Sequence, residues 1–313
     1  MPDPDYLRLS SSSEAAANDW WRWPNQLRAF GGQMLGHCVM AAGKLAPANF
    51  NLHSLHMHFL RAGQLVDTRY AVHVVRIGRS YAVYKVIATE IDQQQEQSLL
   101  CSCTVSFCKP EDGPSLLPDT LPLHLFPPPA DFFDDVGSDA WPRTAPADAS
   151  GRRWYVSWQP QHDGNGKRLT SSSPPLVHAA ALAFLSDYYF LISAFAGDAE
   201  LSGEYDCVML ASLDHTLHVL DPQFDASGLL LYESTALGLT AGRAVICGKL
   251  WAVTDATGRS GRLVATTVQE GVLRLREKAQ SDEEGEGAPR PAPGAQPATA
   301  SARAVARGRL SKL

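Results

Sequence analysis

The sequence predicts an α+β protein built from two similar halves, each a helix followed by four antiparallel strands. Three observations carry that expectation. Two stretches are helical and strongly apolar, two sets of strand-like runs follow at hairpin spacing, and a Pro-rich segment lies between the sets. The 313 residues suffice for one large domain or two ordinary ones. A hydrophobic fraction of 45% with 19% charged residues is a globular composition. The net charge of -6 argues against nucleic acid as a partner, because phosphate backbones need a basic face.

In chain order, "FGGQMLGHCVMAAGKL" (residues 30–45) reads as a helix opening at a Gly-Gly pair. The runs "NLHSLHMHFLRAG", "RYAVHVVRIG", "YAVYKVIATEID" and "SLLCSCTVSFC" follow, alternating or β-branched, and read as strands. Residues 109–150 hold nine of the 21 prolines, which marks a linker. After it come the strand-like "RWYVSWQP" and a long helix over residues 175–196. Four runs close the pattern: "VMLASLDHTLHVL", "LLLYESTAL", "RAVICGKLWAVTD" and "RLVATTVQEGVLRLR". Strands at hairpin distance pair antiparallel, and a helix as apolar as the second one must be wrapped by its sheet. From about residue 278 the chain is rich in Ala, Pro, Gly and charge, a composition that cannot bury a core.

One residue breaks the pattern. Asp187 lies inside "LAFLSDYYFL", and its neighbours three and four positions away are Ala183, Phe184, Phe190 and Leu191. An unpaired carboxylate on that stripe costs several kcal/mol. Overlaying the halves by pattern sets "HSLHMHF" on "SLDHTLH", with His53 opposite Ser212 and His56 opposite His215. It sets "CTVSF" on "TTVQEG", with Ser106 opposite Gln269. The first helix has no carboxylate to match Asp187. Asp187, Ser212 and Gln269 therefore belong to the second half alone, which points to a site rather than to scaffolding. The bland alternative for Asp187 is a buried ion pair, with Arg243 as partner.

The motifs "FGGQMLGH", "HSLHMHFLRAG", "ASLDHTLHVL" and "ATTVQEGVLR" resemble the acyl-CoA thioesterase II (TesB-like) family, which includes peroxisomal acyl-CoA thioesterases. The resemblance spans roughly residues 25–277 apart from the linker. It implies a double hotdog fold: two antiparallel sheets, each wrapped around a long central helix. The N-terminal hotdog is then residues 1–108, a degenerate half, and the C-terminal hotdog, residues 151–277, carries the site. The resemblance also implies an acyl-CoA substrate and hydrolysis without a covalent intermediate, with water oriented by Asp187, Ser212 and Gln269. Two departures stand out: Ala62 replaces the proline after "FLR", and Tyr188 and Tyr189 replace a small or apolar pair.

The chemistry fits these side chains. Burial raises a carboxylate pKa and hydrogen bonds to the charged form lower it, a balance that can yield a base near neutral pH. Ser212 and Gln269 can hold both the carboxylate and a water. The amides of Gly31 and Gly32, opening the first helix, are candidates for the oxyanion site. Asp214 and His215 are strand neighbours pointing to opposite faces, so they form no constellation directly. His53, His56 and His58 lack an accompanying acid or thiol, and neither a metal nor another cofactor is expected. The six cysteines read as reduced thiols. Arg61, Arg76 and Arg79 are candidates for holding the CoA phosphates. An enoyl-CoA hydratase on the same fold, or an acyl-CoA or polyketide-CoA binding protein without catalysis, are the rival readings.

The sequence ends in Ser311, Lys312 and Leu313, a peroxisomal address read by the import receptor. No membrane span is expected, since the most apolar stretch, residues 178–197, is interrupted by Asp187. The acyl group and the oligomeric state are open: one double hotdog is viable as a monomer, and further homo-oligomer assembly is compatible with it.

Overall fold

The computed structural model describes residues 7–9, 28–64, 68–91, 97–111, 121–122, 143–148, 151–157, 169–196, 199–253 and 260–278. Its elements run β1 (Leu7–Leu9), α1 (Gly31–Gly43), β2 (Asn51–Phe59), β3 (Thr68–Ile77), β4 (Tyr81–Ile91), β5 (Gln97–Cys108), β6 (Leu121–Pro122), β7 (Arg143–Asp148), β8 (Gly151–Ser157), α2 (Pro175–Leu185), α3 (Ser193–Ala196), α4 (Ala199–Glu204), β9 (Tyr205–Ser212), β10 (Asp214–Val219), β11 (Leu229–Thr240), β12 (Arg243–Val253) and β13 (Ser260–Glu277). Each run read as a strand contains a strand among the described residues. The run "VMLASLDHTLHVL" forms two, β9 and β10, parted at Leu213, whose amide donates to Glu270 O and whose carbonyl accepts from Phe59 N–H. The segment 109–150 contributes the short strands β6 and β7.

All pairings are antiparallel, and the strands join into one sheet ordered β1-β3-β4-β5-β2-β10-β13-β12-β11-β8-β7. The expectation of two separate sheets is corrected here. The blocks β3-β4-β5-β2 and β10-β13-β12-β11 meet edge to edge at β2–β10, where each satisfies the other's exposed backbone groups. The mirrored order is a pseudo-two-fold, and the bulges fix its register. The shift at Val74/Arg76 in β3 repeats at Ala236/Gly238 in β11, and that at Ala88/Thr89 in β4 repeats at Leu250/Trp251 in β12. His56 facing Thr216 then lies on the axis.

That register also corrects the overlay of the halves. The pattern-based alignment is out by one position between β2 and β10 and between β5 and β13, and a one-residue slip exchanges the faces of a strand. The positions that match Ser212, His215 and Gln269 are Leu52, Leu55 and Val105, all three buried. The asymmetry is sharper than the sequence implied: where one half is polar, the other is aliphatic.

The continuous helix over 175–196 is also corrected. α2 ends at Leu185, residues 186–192 are turns, and Asp187 lies just beyond the helix rather than within it. Tyr232 donates its phenolic proton to Ser186 O, the carbonyl the next helical turn would have used. Tyr189 then takes the left-handed conformation, φ +58°.

α1 and α2 cross antiparallel in close contact. A Cβ on Gly36 would sit 3.0 Å from Ala180 O, so glycine allows the backbones to approach. α1 buries Met34, Leu35, Cys38, Val39 and Ala42 in the core formed with the sheet. Among the described residues no helix is long and apolar enough to cross a membrane.

Candidate active site

Four chain segments converge on Asp187. The first is the turn after α2, which holds the carboxylate itself, 7% exposed. The second is β13, from which Gln269, fully buried, donates through Nε2 to Asp187 Oδ1 at 3.0 Å and to Ser212 Oγ at 2.6 Å. The third is the end of β9, which supplies Ser212. The fourth is the start of α1. Phe30, its N-cap residue, makes no side-chain cap, and no acid sits in its first turn. Asp187 fills that role from the other half of the chain. It accepts a hydrogen bond from the Gly32 N–H, at the positive end of the helix dipole. Gly31 has to be glycine there, since a Cβ would lie 2.7 Å from Asp187 Oδ2.

Burial pushes the Asp187 carboxyl up from the ordinary value of 3.8 to about 7. Hydrogen bonds from Gln269, Gly32 and Ser212 hold it back from rising further. At neutral pH this group is divided between a proton acceptor and a proton donor.

The predicted residues Asp187, Ser212, Gln269, Gly31 and Gly32 thus stand together. Ser311, Lys312 and Leu313 lie outside the described residues. The ion pair considered for Asp187 is not formed: Arg243 pairs with Glu270 at 2.8 Å. Asp214 and His215 do face opposite ways. Asp214 accepts from the Glu270 N–H at 2.9 Å, while His215 points inward. Arg61 donates to Ser98 Oγ at 2.6 Å. His56 and His218 stack edge to face on the outer side of the sheet, and no group of three metal-ligating side chains occurs among the described residues.

Two members lie outside the predicted trio: His215, read from the sequence as structural near the site, and Ser186, which sequence reasoning missed. His215 Nδ1 lies 2.9 Å from Gln269 Oε1, and its Nε2 lies 2.9 Å from Ser186 Oγ, both fully inside the protein. Desolvation lowers the His215 pKa to about 4, so the ring is neutral. The available signal was Leu55, the aliphatic counterpart of His215 under the correct register. Aromatic rings border the site. Phe30 packs edge-on against Phe184 and Tyr188, and a Cβ on Gly31 would touch Phe59.

Comparison with known proteins bears on this geometry. A model of the acyl-CoA thioesterase N-terminal domain matches residues 20–108, and one of the C-terminal domain matches residues 110–273. The chain belongs to the acyl-CoA thioesterase family. Within it, mouse acyl-coenzyme A thioesterase 8 is 28% identical over 280 residues, covering 81% of this chain and 82% of that protein. Acyl-CoA thioesterase 2 of Haemophilus influenzae is 28% identical over 273 residues, 80% and 89% of the two chains. The crystal structure of acyl-CoA thioesterase II TesB2 from Mycobacterium marinum superposes with a TM-score of 0.61 at 28% identity, covering 79% and 90%. A protein of hot dog fold from Alicyclobacillus acidocaldarius matches at a TM-score of 0.53 and 17% identity, covering 80% and 89%, a likeness of fold. The fold is hotdog-type and mostly antiparallel, and the TesB-like resemblance of the motifs holds.

Proposed function

We propose that this acyl-CoA thioesterase hydrolyses its substrate by direct attack of water, with Asp187 as general base. The observation that carries the reading is a buried carboxylate held by Gln269, Ser212 and the Gly32 amide, with its pKa near neutrality. Gln269 spends its two amide protons on Asp187 and Ser212. Water delivers its proton to Asp187 as its oxygen bonds to the thioester carbon, and the carbonyl becomes an oxyanion. The amide of Gly31, at the N-terminus of α1, is the donor for that oxygen, since the Gly32 N–H, the other candidate, is given to Asp187. Collapse of the intermediate breaks the C–S bond, and the proton on Asp187 passes to the departing sulfur. The free acid and CoA leave, and the base is restored.

Each half is read as one hotdog unit, 1–108 and 151–277, joined through 109–150, with the first unit supplying the start of α1 and the second the polar side chains. The terminal Ser311-Lys312-Leu313 supports a peroxisomal location through the import receptor. The rival hydratase would need a carboxylate and an imidazole acting together on substrate; here Gln269 stands between Asp187 and His215. The test is thiol release from acyl-CoAs of graded length by wild type and Asp187→Ala, with hydration of an enoyl-CoA as the control. Release by wild type alone, without hydration, is expected. Equal release by both proteins would remove Asp187 from the mechanism, and hydration without release would favour the rival.

A further inference from the structure

We propose that His215 is a positioning residue: its Nδ1–H holds the Gln269 side-chain amide in the one orientation that presents Nε2, rather than Oε1, to Asp187. The inference rests on the reading of Asp187 as the base. A glutamine amide can rotate by half a turn at little steric expense, exchanging a donor for an acceptor. With Oε1 against the carboxylate, two acceptors would oppose each other in a buried site, and Ser212 would lose its donor. Something must select the productive orientation.

His215 is placed to do so. It sits on β10, and its Nδ1 is 2.9 Å from Gln269 Oε1. Since Gln269 Nε2 faces Asp187 and Ser212, Oε1 is the end turned to His215, so the imidazole must carry its proton on Nδ1. Nε2 is then an acceptor, and the one Ser186 hydroxyl proton, within reach of Ala183 O at 2.8 Å and of Nε2 at 2.9 Å, is directed to the ring. The result is a chain of hydrogen bonds running from Ser186 through His215 and Gln269 to Asp187. Ser186 immediately precedes Asp187, so both ends of the chain belong to one turn. The Phe190 ring packs edge-on against the imidazole and fixes its plane.

Folding does not ask for a histidine here. The matching position in the first half is Leu55, buried at the same layer of the sheet. Nor does His215 reach the reacting atoms, since Gln269 intervenes. The titratable groups around Asp187, besides His215, are Tyr232 on β11 and Tyr188 beside it in the chain. Burial raises both phenols, so neither carries charge at neutral pH.

The experiment pairs two variants with a measurement that needs no turnover. In the wild type, 15N-histidine resonances at neutral pH should show His215 as the neutral Nδ1–H tautomer; the Nε2–H tautomer would overturn the proposal whatever the enzyme's activity. His215→Leu removes the donor and mimics Leu55. Its kcat should fall about 10²-fold with KM little changed, as expected for lost orientation. The acidic limb of its rate profile should move to higher pH, because Gln269 no longer supports the charged form of Asp187. His215→Asn places an amide N–H near the Nδ1 position and should recover activity to within about fivefold of wild type, with the limb restored. Equal, deep losses in both variants with an unmoved limb would overturn the positioning role. If wild type itself releases no thiol, the base assignment falls, while the tautomer result still decides the orientation of Gln269.

Discussion

Replacing Asp187 by Asn should stabilise the protein while stopping it, and the stabilisation should depend on pH in one direction. In the folded state the carboxyl titrates near 7, against an ordinary value of 3.8 when unfolded. The folded pKa is therefore the higher one. Its favourable contribution is fully present below pH 3.8, where both states are protonated, and is lost as pH rises toward 7. Each unit of difference is worth about 1.4 kcal/mol, so the span corresponds to roughly 4 kcal/mol. The asparagine side chain has the shape of the protonated acid and still caps α1, but does not titrate. The stability gap between Asp187→Asn and wild type should open between about pH 4 and pH 7, reach a few kcal/mol, and stay flat above. Urea unfolding midpoints of the two proteins at pH 5, 6, 7 and 8 would measure it. A gap independent of pH, or a variant less stable than wild type at pH 8, would refute the reasoning that burial dominates the hydrogen bonds at this carboxylate.

Three further outcomes follow from the same geometry. Ser212→Ala leaves one Gln269 proton and one Asp187 hydrogen bond unmatched, and kcat should fall about 10²-fold in thiol-release assays. Gly36→Leu forces a side chain into the 3.0 Å approach to Ala180 O; thermal or urea unfolding should show a loss of about 1–3 kcal/mol, with the pH profile of the remaining activity unmoved. Deleting Ser311–Leu313 should leave a fluorescently tagged protein in the cytosol rather than in peroxisomes, read by microscopy.

The strands were legible because their periodicity is strong: each core-facing residue of β4, from Ala82 to Ala88, alternates with an outer one. The trio was legible because a carboxylate amid Ala183, Phe184, Phe190 and Leu191 contradicts its surroundings. The end of α2 at Leu185 was not legible. Nothing in "FLSDYYFL" forbids a helix, and the turn is imposed by Tyr232, 46 positions later in the chain, which takes the Ser186 carbonyl. The pairing of the halves failed for a related reason. Motif letters such as "HSLH" and "LDHT" align well one step out of register, and only bulges, which are features of the folded pairing, reveal which face each residue occupies. His215 was legible only as a structural residue near the site, because its partners are brought from β13 and from the turn after α2 and do not include its neighbour Asp214. The capping of α1 by Asp187 joins two halves of the chain, and a missing N-cap at Phe30 was its only trace in the sequence.

The central claim is that Asp187 is the proton acceptor for water, and the pH dependence of kcat/KM for wild type and Asp187→Asn tests it most directly. Wild-type rates should rise with pH through a single ionisation near 7 and level off, the base being active once deprotonated. Asp187→Asn should be slower by about 10³-fold or more, without that limb. A variant within tenfold of wild type, or one that keeps the same ionisation, would contradict the account.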